Sequence, residues 1–171
     1  MRTALILLLL AYPAVAQEKT GTTAASACGP LDVKFEVNQN QTKSIEPDSG
    51  KALVYVVEDI GRPGRRCFMG CATVRVGLDG AWIGANHGTS HFSFSVEPGE
   101  HHLCANWQSG PGRFSSTQSL ANFTADAGKV YYFRARIWGS DRRYLDLDPV
   151  STDEGSYLVA ASPLAVSRPK K

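Results

Sequence analysis

The sequence has no apolar run long enough to cross a membrane. Its longest, Ala4 to Ala11, falls far short of the ~18–20 residues a spanning helix needs. It has no excess of one charge either, with 18 Lys and Arg against 16 Asp and Glu. The concentrated basic stripe of a nucleic-acid binder is therefore absent. A G-x-S-x-G nucleophile elbow, a Walker loop and a Rossmann glycine fingerprint are all missing. Gly61-Arg62-Pro63-Gly64 is too short and too rich in Pro and Arg to cradle a phosphate. There are no internal repeats and no heptads.

What the N-terminus does carry is the pattern of a secretory signal peptide. Arg2 supplies the positive end, Ala4 to Ala11 the apolar core, and Ala14-Val15-Ala16 a small-x-small site before Gln17. Cleavage after Ala16 is expected, with an uncleaved anchor as the alternative. No cysteine follows the cut, so lipoprotein processing is not expected. Removing residues 1–16 leaves 155 residues, enough for one domain, and takes away Arg2, lowering the formal charge from +2 to +1. The expected location is the periplasm or the exterior.

Four cysteines remain, Cys28, Cys67, Cys71 and Cys104, and in an exported chain an even count predicts two disulfides. Cys67 and Cys71 lack the second close Cys or His pair of a zinc site, so no metal is expected. Two pairings stand open: Cys28–Cys104 with Cys67–Cys71 as a local bridge, or Cys71–Cys104 with Cys28–Cys67.

Residues 72–107 are the most informative stretch. Apolar residues alternate at Val74, Val76 and Leu78 up to Asp79-Gly80, and at Phe92, Phe94 and Val96 up to Pro98-Gly99. Period-two alternation ending in such dipeptides predicts hairpins. A tight turn at Pro98-Gly99 would set Val96 opposite His101, Phe94 opposite Leu103 and Phe92 opposite Ala105. Cys104 would then point away from the core, together with His91 and His102, and could hold a segment lying across the sheet, such as the one around Cys28-Gly29-Pro30.

Elsewhere, Leu31 to Val37 reads as an edge strand and Asn38 to Gly50 as a loop. Ala52 to Val57 is a continuous apolar run, as in a strand covered on both faces. Ser119 to Ala125, Val130 to Trp138, Tyr144 to Asp148 and Leu164 to Val166 read as further strands. Asp146 and Asp148 share the parity of Arg134 and Arg136, which predicts cross-strand charge pairs. Ser151 to Ser162 reads as the one helix, with a Ser151/Glu154 capping box and Pro163 as its stop. Tyr157, Leu158 and Ala161 are its expected buried face. About eight short strands with one helix predict an all-β antiparallel sandwich, PEGA-like or immunoglobulin-like. The expected division is a signal peptide at 1–16, a flexible segment at 17–49 with the possible edge strand at 31–37, a sandwich at 50–166 and a basic tail at 167–171.

The segments GKALVYVVED, VRVGLDGAWIGA, FSFSVEPGEHHLCANW, AGKVYYFRARI and DEGSYLVAAS resemble, in that order, the bacterial domain-of-unknown-function family 2846 of exported proteins and lipoproteins. The resemblance spans roughly residues 50 to 162. The LDG-x-x-IG and PGEH-x-L portions also look like the PEGA type of surface β-sandwich. These are turn and strand motifs, so the resemblance implies a fold and no activity, catalytic residue or cofactor. The four cysteines and the Cys-Gly-Pro segment look like additions to that pattern.

For chemistry, His87 and His91 are four apart but not on a helix, so the spacing does not place them on one face. His101 falls on the core side near its turn. Any Cys–His dyad needs a free thiol, which disulfides remove. Asp146/Asp148 and Asp153/Glu154 read as sheet-face and helix-start charges. Arginines and tryptophans are common anchors of recognition surfaces, and sandwich loops are where such surfaces form. Arg62, Arg65 and Arg66 in the 59–70 loop, Arg113 in the 108–116 loop, and Trp82 are therefore the candidate binding residues. The reading is a non-enzymatic exported module that contacts a protein or glycan of the cell envelope, without cofactor, nucleic acid or a span after cleavage. A small secreted metal-binding protein or hydrolase is the alternative.

Overall fold

The computed structural model describes residues 27–40, 48–59, 71–109, 117–138 and 144–170. The expected signal peptide, most of the flexible segment's first part and the last residue of the basic tail lie outside them. Among the described residues, ten strands and one helix follow in order. They are β1 (Phe35–Asn40), β2 (Ala52–Asp59), β3 (Thr73–Leu78), β4 (Ala81–His87), β5 (Ser90–Val96), β6 (Gly99–Ser109), β7 (Gln118–Ala125), β8 (Val130–Trp138), β9 (Tyr144–Val150), α1 (Thr152–Ala160) and β10 (Leu164–Pro169). They build the expected sandwich from a six-stranded sheet, β1-β10-β5-β2-β8-β9, and a four-stranded sheet, β4-β3-β6-β7. No helix among the described residues is long and apolar enough to cross a membrane.

Alternation decides what lies between the sheets. Val54, Val56, Phe92, Val96 and Phe133 of the larger sheet meet Val74, Val76, Leu103, Ala105 and Trp107 of the smaller. The continuous run at β2 is explained by its central place. It pairs with β5 on one side and, in parallel, with β8 on the other, and six of its eight residues are buried.

The Asp79-Gly80 hairpin forms as expected. Leu78 opposes Ala81, and Asp79 and Gly80 both take positive φ, 48° and 93°, as a primed turn requires. The Pro98-Gly99 hairpin does not form. Val96 pairs with Ala52 in the larger sheet, while Leu103 pairs with Leu78 and Ala121 in the smaller. The two apolar strips face each other across the core instead of lying side by side, and Pro98, with no N–H to give a ladder, carries the chain from one sheet to the other. Period-two alternation is the same in either case. The inference that Cys104 points outward survives, because parity along β6 alone determines it.

The expected strand at 31–37 begins at Phe35 instead. Residues 27–34 form a strap across the outer face of the smaller sheet. Cys28 is disulfide-bonded to Cys104 with Cα atoms 5.1 Å apart, and Gly80 N–H donates to Ala27 O at 3.2 Å. Any Cβ on Gly77 would collide with that same Ala27 carbonyl. Cys71 is also disulfide-bonded; Cys67, its expected partner, lies outside the described residues. At the head of β1, the Gln108 side-chain amide accepts from Phe35 N–H at 2.6 Å and donates to Phe35 O at 2.8 Å.

The helix starts where the capping box predicts, with Ser151 Oγ accepting from Glu154 N–H. Its buried face differs from the expected one. Gly155 is buried, Leu158 and Val159 are half-buried, and Tyr157 and Ala161 are exposed. A Cβ at Gly155 would overlap the Tyr132 ring, so the missing side chain lets the helix seat there and turns Tyr157 outward. Of the two expected charge pairs, Arg136–Asp146 forms at 3.9 Å. Arg134 lies opposite Asp148, but its guanidinium pairs with Glu154 of α1.

Side chains also close the seams between the sheets. Ser167 Oγ accepts from Ala85 N–H of edge strand β4 at 3.1 Å. Gln39 Nε2 donates to His87 O of the same strand at 2.6 Å. On the opposite seam, Ser119 Oγ accepts from Leu147 N–H of β9 at 3.0 Å. Edge groups that would otherwise recruit another chain are thereby occupied.

Candidate binding surface at one end of the sandwich

Strand direction gathers the flanks of three of the connections. The end of β2 and start of β3, the end of β6 and start of β7, and the end of β8 and start of β9 all lie at one end, as the pairings of Thr73 with His87 and Ser109, and of Trp138 with Tyr144, require. These strand ends flank the segments that carry Arg62, Arg65, Arg66 and Arg113. The four arginines themselves lie outside the described residues. Trp82 does not join them. It sits at the other end, beside the Asp79-Gly80 turn, and serves the strap: its Nε1–H donates to Pro30 O at 2.6 Å, and the Arg75 guanidinium lies 4.2 Å from its ring centroid.

Beneath the connection end lies a buried polar cluster that sequence reading missed. Glu58, the next-to-last residue of β2, is wholly buried, as are Asn86 and Ser90. Ser90 is the cross-strand neighbour of Glu58. Asn86 Nδ2 crosses from the smaller sheet to donate to Val56 O at 3.0 Å, and Ser90 Oγ accepts from His87 N–H at 3.2 Å. Thr73 Oγ1 and His87 Nδ1 are 2.9 Å apart. Burial pushes the Glu58 carboxyl well above the ordinary carboxylate range, outweighing the backbone N–H groups of Val74 and Gly88. Neither of its oxygens has a well-formed hydrogen bond. The signal was in the parity: Glu58 continues the inward series Ala52, Val54, Val56.

At the same end, Trp138 and Tyr144 stack with ring centroids 4.5 Å apart. Both rings are exposed, and Asp146 accepts from the indole N–H. Arg136 and Asp146 form the next rung on the same face, two residues along. Aromatic faces beside groups of both charges make up a surface that can contact a ligand.

The histidines are dispersed. His91 Nδ1 meets Ser162 Oγ at 3.0 Å beyond α1, and burial lowers its pKa below the ordinary value. It lies on the outer face of the larger sheet and His102 on that of the smaller, so the two do not share a face as the hairpin reading implied. His101 falls on the core side, as parity predicts, against the Phe123 ring. Among the described residues no three His, Cys, Asp or Glu side chains converge as a metal site would need. No family model matches the chain, and no curated protein or solved structure matches it.

Proposed function

We propose that this chain is an exported, non-enzymatic β-sandwich that acts as a binding or structural module of the bacterial cell envelope and engages a protein or glycan through its connection end. The convergence at that end of the strand ends that flank three connections is the observation that carries this reading, because rigid strands that bring loops together are a common basis for recognition. The Cys28–Cys104 disulfide supports export, since such bonds persist in oxidising compartments. The non-enzymatic reading is supported by how the reactive side chains are used. Cys28, Cys71 and Cys104 are disulfide-bonded, and His87, His91 and His101 are hydrogen-bonded to neighbours within the fold. The strand and turn segments between residues 50 and 162 that resemble family 2846 support kinship with it.

The test is a thermal-shift panel of envelope glycans, peptidoglycan fragments and divalent metals on the mature protein, with copurification from envelope extracts. A glycan or protein that binds wild type but not the Arg65→Ala, Arg66→Ala, Arg113→Ala triple variant supports the reading. Binding unchanged by that variant removes the loop arginines from it. A shift with metals alone favours the alternative of a secreted metal-binding protein.

A further inference from the structure

His101 stands at the end of the sandwich opposite the connections, and both of its ring nitrogens face groups that can only accept. Nδ1 is 2.7 Å from Asp79 Oδ2 in the β3–β4 turn, and Nε2 is 2.7 Å from the Glu97 carbonyl where the chain crosses from β5 to β6. A neutral imidazole carries one N–H and can satisfy only one of them; the imidazolium satisfies both. Asp79 is bound further to β6. Its N–H donates to His102 O at 3.0 Å, and its Oδ1 accepts from His102 N–H at 2.8 Å. The residue after it, Gly80, holds the start of the strap through Ala27 O.

We infer that His101 is a pH-sensitive latch: as the imidazolium it ties the β3–β4 turn to the β5–β6 crossing, and on losing a proton it releases one of them and loosens the turn that anchors the start of the N-terminal strap. The latch joins both sheets, because Glu97 follows a strand of the larger and Asp79 a strand of the smaller. The titratable groups around it are few. Asp79 faces it from the turn. Glu97 is held through its own side chain by Lys51, at the foot of β2, at 2.9 Å. From β7 the Phe123 ring covers it, backed by Tyr131 of β8, whose hydroxyl accepts from Asp126 N–H. Burial lowers the His101 pKa, but Asp79 and the Glu97 carbonyl outweigh it and hold the value above the ordinary 6.5. A raised pKa gives stability that is full below the unfolded value and is lost as pH rises through the folded one.

Two measurements on the mature, oxidised chain test this. Nitrogen NMR of the His101 ring should show both nitrogens protonated near pH 6 and a titration above that of free histidine. Amide exchange should show the protection factors of Gly80 and His102 falling as His101 titrates, roughly tenfold for each unit by which the folded pKa exceeds the unfolded one. His101→Gln and Asp79→Asn should flatten that profile while the core amides of β2 stay protected, which separates a lost latch from a lost fold. A His101 that titrates at or below the free value, or Gly80 and His102 protection that does not change across its titration, overturns the proposal.

Discussion

Arg75 lies between the Trp82 ring and the backbone of the strap, and this one guanidinium joins the strap to the smaller sheet. Its Nε–H donates to Asn106 Oδ1 at 2.7 Å. Its Nη1 donates to Leu31 O at 3.2 Å and to Val33 O. The residue is only 4% exposed, although its parity puts it on the outside of the sheet; the strap is what buries it. With Trp82 beneath it and carbonyls around it, the buried charge is compensated by hydrogen bonds and by the ring face.

Removing that guanidinium leaves Asn106 Oδ1 and two strap carbonyls short of a donor. Arg75→Ala should cost about 2–4 kcal/mol, read from the urea unfolding midpoint. Arg75→Lys should recover little of it, because a compact ammonium lacks the planar fork that reaches Asn106 and the strap from separate nitrogens, and it cannot stack flat on an indole. Full rescue by lysine would mean that charge alone, not the planar fork, holds the strap.

The disulfide beside it acts on the unfolded chain. Cys28 and Cys104 are 76 residues apart in sequence, and closing a loop of that size is worth about 4.5 kcal/mol on the chain-entropy relation. The Cys28→Ser, Cys104→Ser double variant should lose stability on that order in denaturant titrations while its far-ultraviolet spectrum stays that of β-structure. A loss well under 1 kcal/mol would show that the strap's non-covalent contacts already suffice.

Gly155 reverses an ordinary rule. In an exposed helix, Gly→Ala gains about 1 kcal/mol. Here the new methyl meets the Tyr132 ring, and overpacking of this kind costs about 1–3 kcal/mol. Gly155→Ala should therefore lower the melting temperature. A rise would mean that α1 shifts off the sheet without loss.

Glu58 sets a pH dependence of the same sense as that of His101, from burial instead of from hydrogen-bond partners. Its folded pKa is well above the ordinary value of 4.5, so between the two the unfolded chain is ionised while the fold is not. Wild-type stability therefore falls as pH rises through that window. Glu58→Gln removes the difference and should be the more stable protein at neutral pH, with the advantage vanishing below pH ~4. A Gln variant less stable than wild type at neutral pH would show that the carboxyl is needed by the polar cluster.

Much of the fold was legible because alternation reports burial directly. The Val74–Val76–Leu78 series and the Asp79-Gly80 turn fix one hairpin, and Ser151 with Glu154 fixes the start of α1. Alternation does not say which strand lies alongside and which lies across, so Pro98-Gly99 read as a hairpin where the chain changes sheets. The strap was legible only through Cys104, whose parity called for a covering segment. Trp82 and Arg75 belong to that strap because of contacts between residues more than 40 positions apart, which no local pattern encodes. Of the candidate binding residues, only Trp82 lies within the described structure, and it holds the strap in place. Glu58 escaped notice because an acid at the end of an apolar run reads as the strand's solvated end.

Non-reducing peptide mapping with N-terminal sequencing of the protein recovered from the producing cell tests most directly whether this sandwich is an exported module closed by its strap. The expected result is a chain beginning at Gln17, found outside the cytoplasm, with Cys28 linked to Cys104. A chain retaining Met1, with Cys28 and Cys104 both reactive to a thiol probe before reduction, would contradict it.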